Sequence, residues 1–191
     1  MADIYIIRHG QDKDNAKGIL NGHRNMSLTL LGRKQANNIA KKLQKIGIQV
    51  IYSSPLARAY ETAQIIANKL KIKKVIIDKN LIERDFGILT GKPITDISKY
   101  STKRLQSDGV NYFLDGEGTE DFLSVLKRAN NILEIIRKKH PDKQVLLVTH
   151  GDIGKTIRAA FHGWSWEKGL TTPYLDNIGI LELRAKEDEI L

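Results

Sequence analysis

Two stretches of the sequence, YIIRHG at 5–10 and LLVTHG at 146–151, run an apolar segment straight into a histidine followed by glycine. Two further segments follow similar runs: SSPLAR at 53–58, which ends on Arg58, and LIERDFG at 81–87, which contains Glu83. A neutral imidazole can attack phosphorus, and guanidiniums give a two-pronged hold on phosphate oxygens. A carboxylic acid can protonate a departing alkoxide. Two imidazoles (His9, His150), two guanidiniums (Arg8, Arg58) and one carboxyl (Glu83), with the Ser53-Ser54 pair and Asn15 nearby, are the parts of phosphoryl transfer through a phosphohistidine. Each residue alone has a plainer use: His9 as a satisfied core histidine, Arg58 as a partner for Glu61 on its own helix, Glu83 as a surface acid. The conjunction points to chemistry, because chance would have to place these types at four separate strand ends.

These groups meet only if the intervening elements bring them together. Runs rich in Ile and Val at 4–7, 49–53, 74–78 and 144–149 alternate with longer stretches of helical periodicity. That alternation predicts an α/β fold, a three-layer α/β/α sandwich on a mostly parallel central sheet. Thr29 caps a first helix with small or apolar residues at Leu31, Ala36, Ile39, Ala40 and Leu43, which stops at Gly47. A second helix follows SSPLAR. A third starts at TEDF with Thr119 as its cap and ends in RKKH before Pro141, and a fourth covers about 153–162. IGILEL near the C-terminus alternates like a last strand. The stretch from about 88 to 118 is polar, holds Pro93 and several glycines, and reads as an excursion over one end of the sheet. Ligands of open α/β sheets bind at the carboxyl edge of the strands, so His9 and His150 face one pocket if their strands are neighbours.

A chain of 191 residues with 41% hydrophobic content can bury one substantial core, so a single domain over 1–191 is expected. Cysteine is absent, which excludes disulfides, a thiolate nucleophile and cysteine-based metal sites. No apolar run reaches the roughly 18 residues of a membrane span, and the expectation is a cytoplasmic protein without a membrane partner. Lys and Arg total 31 against 22 Asp and Glu, a net charge of +9 that favours anionic partners. The lysines fall in pairs (41 and 42, 73 and 74, 138 and 139) without interleaved aromatics, which reads as solvated surface and not as a nucleic-acid footprint.

On these residues the sequence resembles the histidine phosphatase superfamily, which includes cofactor-dependent phosphoglycerate mutase and many small phosphatases. RHG at 8–10, SPLARAYETA at 54–63, LIERDFGILTG at 81–91 and VTHG at 148–151 are similar to its ordered motifs. NGHRNMSLTLLGRKQA at 21–36 and, more weakly, GEGTEDFLSVLKR at 116–128 are similar to further segments, so the matches extend from residue 4 to about 158. The resemblance implies a phosphoglycerate mutase-like fold. It also implies His9 as the nucleophile, with Arg8, Arg58 and His150 holding the phosphoryl group. Glu83 would be the general acid and then the base toward water; Asn15, Gly22 and Gly151 would be phosphate-binding or flanking positions. No cofactor and no metal are implied. Nearby arginines are expected to favour the ionised form of Glu83, so its acid form should appear mainly once a phosphate dianion is bound.

Asn25, Ser27 and Gly118 depart from residues common in the family, and so does Asp152, which is expected to cap the next helix. Mutases of the family enclose the site with a long insertion and a C-terminal tail. Here Gly118 follows Gly91 by only 27 positions and the chain stops soon after its last strand. The expectation is therefore a phosphomonoester hydrolase, with mutase the alternative, acting on a small phosphorylated substrate; Lys92, Lys103 and Arg104 read either as holders of a carboxylate or second phosphate or as exposed charges of the excursion. A metal hydrolase built on His9, His150 and Glu83 is disfavoured because Arg8 and Arg58 would repel the cation. A binding module without turnover would be expected to lack a nucleophile, an acid or a clamp, and this sequence lacks none. A homodimer and a monomer are both compatible with the sequence.

Overall fold

The computed structural model describes residues 2–173, 176–183, 189 and 190. The four apolar runs are β1 (Asp3–Arg8), β2 (Val50–Ser53), β3 (Val75–Ile77) and, after the excursion, β6 (Gln144–Thr149). The helices between them are α1 (Leu30–Ile46) and α2 (Ala57–Leu70). The excursion holds α3 (Ile97–Tyr100) and a hairpin of β4 (Arg104–Ser107) and β5 (Val110–Phe113). It leads to α4 (Phe122–Lys139), which precedes β6; α5 (Gly151–His162), α6 (Trp166–Leu170), β7 (Ile180–Leu183) and β8 (Glu189–Ile190) complete the order.

Among the described residues the main sheet has the order β3-β2-β6-β1-β7-β8. The first four strands are parallel, and β7 and β8 add an antiparallel edge. Alternation along β1 sorts the two cores. Ile4 and Ile6 face Val125, Ala129, Ile132, Leu133 and Ile136 of α4 and Ile153 and Ile157 of α5. Tyr5 and Ile7 face Ile39, Ala40 and Leu43 of α1 and Ala59, Ala63 and Ile66 of α2. A period of two on the strand thus gives one helical layer on each face, the three-layer sandwich that the pattern predicts.

Local signals hold in detail for α1. Thr29 accepts a hydrogen bond from the Gly32 amide, and Gly47 closes the helix at φ 81°. Of its expected apolar face only Leu31 turns outward, at 50% exposure. The cap of α4 differs from expectation: Asp121, not Thr119, accepts from the Ser124 amide, while the Thr119 hydroxyl is engaged by the Gly116 carbonyl. Helix α5 begins two residues earlier than the periodicity suggests, because glycine and aspartate at 151 and 152 conceal its first turn.

The pairing of β1 with β6 puts Arg8 opposite Thr149, so His9 and His150 leave neighbouring strands at the same level. Ser53 lies beside Val148 one strand further along. Residues 79–81 then form a short 3-10 turn that carries the chain from β3 to Glu83 at the same edge. Among the described residues no helix is long and apolar enough to cross a membrane.

Candidate active site

His9 is 2% exposed and follows β1 directly, its amide bonded to the Thr149 carbonyl at 3.0 Å. Its Nδ1 lies 2.8 Å from the Gly10 carbonyl, which accepts only if Nδ1 carries the proton. Nε2 then keeps its lone pair, and it accepts from Nε of Arg58 at 3.1 Å. Burial first, then the charges of Arg58 and Arg8, hold the His9 pKa well below the ordinary 6.5. A neutral, nucleophilic imidazole at pH 7 follows.

Gly10, which follows His9, is not among the positive-φ residues. Its role is close packing. A Cβ there would sit 2.5 Å from the Gly32 carbonyl oxygen, and one on Gly32 would sit 2.1 Å from that of Gln11. The loop after the histidine is therefore pressed backbone to backbone against the first turn of α1.

Arg58 is 1% exposed in the first turn of α2 and is aimed by carbonyls: Nη1 donates to Arg24 at 2.7 Å and Nη2 to Gly22 at 2.9 Å. Gly22, at φ 49°, thus stands behind the guanidinium. His150 is 1% exposed, its ring 5.0 Å from that of His9 between centroids, with Nε2 2.8 Å from the Ser54 hydroxyl. Among the described residues its Nδ1 has no hydrogen-bond partner. Burial, followed by Arg58, His9 and Arg8, lowers its pKa well below 6.5 as well. Arg8, Asn15 and Gly151 line the same cleft, of about 430 Å³.

Glu83 is 6% exposed and sits at the N-terminus of α5. Its carboxyl accepts from the amides of Arg84 at 2.9 Å, Gly151 at 3.0 Å and Ile153 at 3.3 Å. The sequence suggested that arginines would dominate and keep it ionised. Instead its pKa is raised above the ordinary 4.5, by burial first and by Asp152 second, against the opposing amides and Arg58. Burial and Asp152 thus shift Glu83 toward its acid form without a bound phosphate.

Asp152 does not cap α5, whose N-cap is His150 without a side-chain bond. It pairs with Nε of Arg84 at 2.8 Å and faces the cleft. Arg84 is 1% exposed, with Nη2 on the Phe113 carbonyl at 3.1 Å and its guanidinium 4.1 Å from the ring of Phe113 and 4.4 Å from that of Phe122. Sequence reasoning also missed Asp12 and Asn177. The buried Asp12 carboxylate lies 3.5 Å from Arg58 Nε and 3.7 Å from His9 Nδ1, and is fixed by Asn21 at 2.7 Å and the amides of Asp14 and Asn15. Asn177 donates to the His9 carbonyl at 2.7 Å. Its sequence signal is nil, but an acid three residues beyond the first histidine was there to be noticed.

The sequence profile of the histidine phosphatase superfamily (branch 1) matches residues 4–190. The chain belongs to that superfamily. This histidine phosphatase is similar to phosphoglycerate mutase-like protein 4 of Arabidopsis thaliana, at 34% identity over 160 residues, which cover 82% of this chain and 69% of the relative. It is also similar to phosphoserine phosphatase 1 of Hydrogenobacter thermophilus, at 32% identity over 151 residues, 78% of this chain and 71% of the relative. Among solved structures, a phosphoserine phosphatase of Entamoeba histolytica in complex with 3-phosphoglyceric acid is similar at a TM-score of 0.79 and 26% identity, covering 100% of this chain and 95% of the other. Among the described residues of this histidine phosphatase, no group of three or more His, Asp or Glu side chains is arranged to hold a metal ion.

Proposed function

We propose that the chain hydrolyses small phosphomonoesters through a phosphohistidine on His9. The observation that carries this reading is the His9 tautomer: Nδ1–H is tied to the Gly10 carbonyl, and the Nε2 lone pair points toward Arg58 in a buried cationic pocket. Membership of a superfamily with phosphatase relatives supports it. An incoming phosphate draws the Arg58 N–H from Nε2 to its own oxygens, which frees the lone pair for attack. The Nε2–P bond forms as the P–O bond to the alcohol breaks. Glu83 gives its proton to the departing oxygen. Glu83, now ionised, takes a proton from water, whose oxygen attacks phosphorus and breaks the N–P bond to release phosphate. Arg8, Arg58 and the Nδ1 edge of His150 meet the charge that spreads over the equatorial oxygens, and Asn15 adds a hydrogen bond. In this reading 1–191 is one catalytic domain, with 88–118 as a wall over its cleft.

A quenched reaction tests it. Wild-type protein incubated with a labelled monoester should hold label that is labile to acid and stable to base, and should release free phosphate. His9→Ala should lose both, with turnover reduced on the order of 10⁴-fold or more. Mutase is the second reading, favoured by the likeness to a phosphoglycerate mutase-like protein. Isomerised phosphoglycerate appearing without free phosphate would replace hydrolysis by that alternative.

A further inference from the structure

Beyond the phosphate clamp the cleft changes character. Its outer wall is formed by Ile19, Leu20, Ile94, Ile97, Val110 and Phe113, contributed by the loop before α1 and by the excursion. Ile94 is 51% exposed at that wall, an apolar side chain that the protein itself does not cover. The asparagines that line the cleft, Asn15, Asn21, Asn111 and Asn177, are uncharged amides.

A substrate with a second acid would need a cation here. Besides Arg8 and Arg58, the described lining contains one, Arg84, and it is already engaged. Nε is bonded to Asp152, the two terminal nitrogens to the carbonyls of Glu120 and Phe113, and the guanidinium faces lie against aromatic rings. Lys92, Lys103 and Arg104, the residues that the sequence offered for a carboxylate, do not line the cleft; Lys92 lies over the ring of Tyr100 at 5.4 Å. The acidic groups of the described lining are Glu83 and Asp152, the latter taken up by Arg84. A carboxylate entering this end would lose its water without a cation in exchange, since Arg84 and Asp152 already neutralise each other.

We infer that the cleft selects phosphomonoesters whose alcohol part is uncharged and largely apolar, and discriminates against those with a second acidic group. The inference deepens the hydrolase reading and rests on it. Its test compares 2-phenylethyl phosphate with 3-phosphoglycerate, since both release a primary alkoxide and differ mainly in what the outer wall meets. The phenylethyl ester should have a kcat/KM at least about tenfold higher. Binding without turnover is read from two phosphonates, 3-phenylpropylphosphonate and 3-carboxypropylphosphonate, of which the first should bind at least about tenfold more tightly. Val110→Lys, which adds a cation to the wall, should shrink both ratios. Equal or reversed preference in wild-type protein overturns the inference. Tighter binding of the phenyl phosphonate without hydrolysis of either ester upholds the selectivity and overturns the hydrolase reading; turnover with preference for phosphoglycerate does the reverse.

Discussion

At the sheet end of the cleft, His9, Arg58 and His150 are each at most 2% exposed, and their orientation is set by carbonyls, a hydroxyl and one another. At the opposite end Ile94 is 51% exposed, and the wall is a short helix, a hairpin and connecting turns. The first end is an extension of the parallel strands: the register of β1 against β6 alone brings the two histidines together. The second has its own small apolar clusters, Phe86, Leu89, Ile97 and Phe113 in one and Tyr112, Phe122 and Leu170 in the other. Rigid strand ends suit a reaction that tolerates little displacement, and a separately packed wall suits selection among alcohols.

Substitutions at the two ends should therefore fail differently. Glu83→Gln should lower kcat by about 10² to 10⁴-fold for alkyl esters and far less for esters with good leaving groups, because only the former need a proton. Its stability signature has a definite sign. Because the folded pKa lies above 4.5, the contribution of Glu83 to stability is complete below that pH and is lost as pH rises through the raised value. Glu83→Gln should thus gain on wild type in thermal midpoint as pH climbs through this window; a difference independent of pH would contradict the raised pKa. The lowered values of His9 and His150 act in the opposite sense, with stability lost as pH falls from 6.5 through their folded values.

Asp12→Asn, which keeps the shape and removes the charge beside Arg58, should reduce kcat by about tenfold to a hundredfold with little change in KM. An unchanged kcat would remove Asp12 from the positioning of the sheet end. Asp152→Asn sharpens the comparison from the border between the two. Loss of its carboxylate, and release of Arg84, should lower the Glu83 pKa and move the alkaline limb of kcat to lower pH. The smallest effect is expected from Asp121→Ala at the cap of α4, about 1 kcal/mol in chemical denaturation with kcat unchanged. A change in kcat there would break the distinction between scaffold and site.

Strand and helix positions were legible because they depend on periodicity and caps that lie within a few residues, as at Thr29 and Gly47. The histidines at the ends of β1 and β6 were legible for the same reason. The cap of α4 was ambiguous because Thr119 and Asp121 are both good caps, and only the tight turn that occupies the Thr119 hydroxyl decides between them. The hairpin in the excursion was overlooked although its tip, Asp108-Gly109 with φ of 51° and 72°, is a strong two-residue turn signal. Arg84 and Asp152 are 68 positions apart, and Asn177 lies 168 positions from the His9 carbonyl it holds. No local pattern records such pairings. The acidity of Glu83 was misjudged because composition counts nearby cations but not the water that burial removes.

Phe113 belongs to both ends at once. Its ring lines the cleft and packs with Phe86 at 5.1 Å, while its carbonyl and ring hold Arg84, which in turn holds Asp152 beside Glu83. Remodelling the wall at this position to admit a different alcohol disturbs Arg84 as well, and with it the proton affinity of the acid. A change of diet in such an enzyme would therefore bring a change in its optimum pH, and engineering one without the other means leaving Phe113 in place.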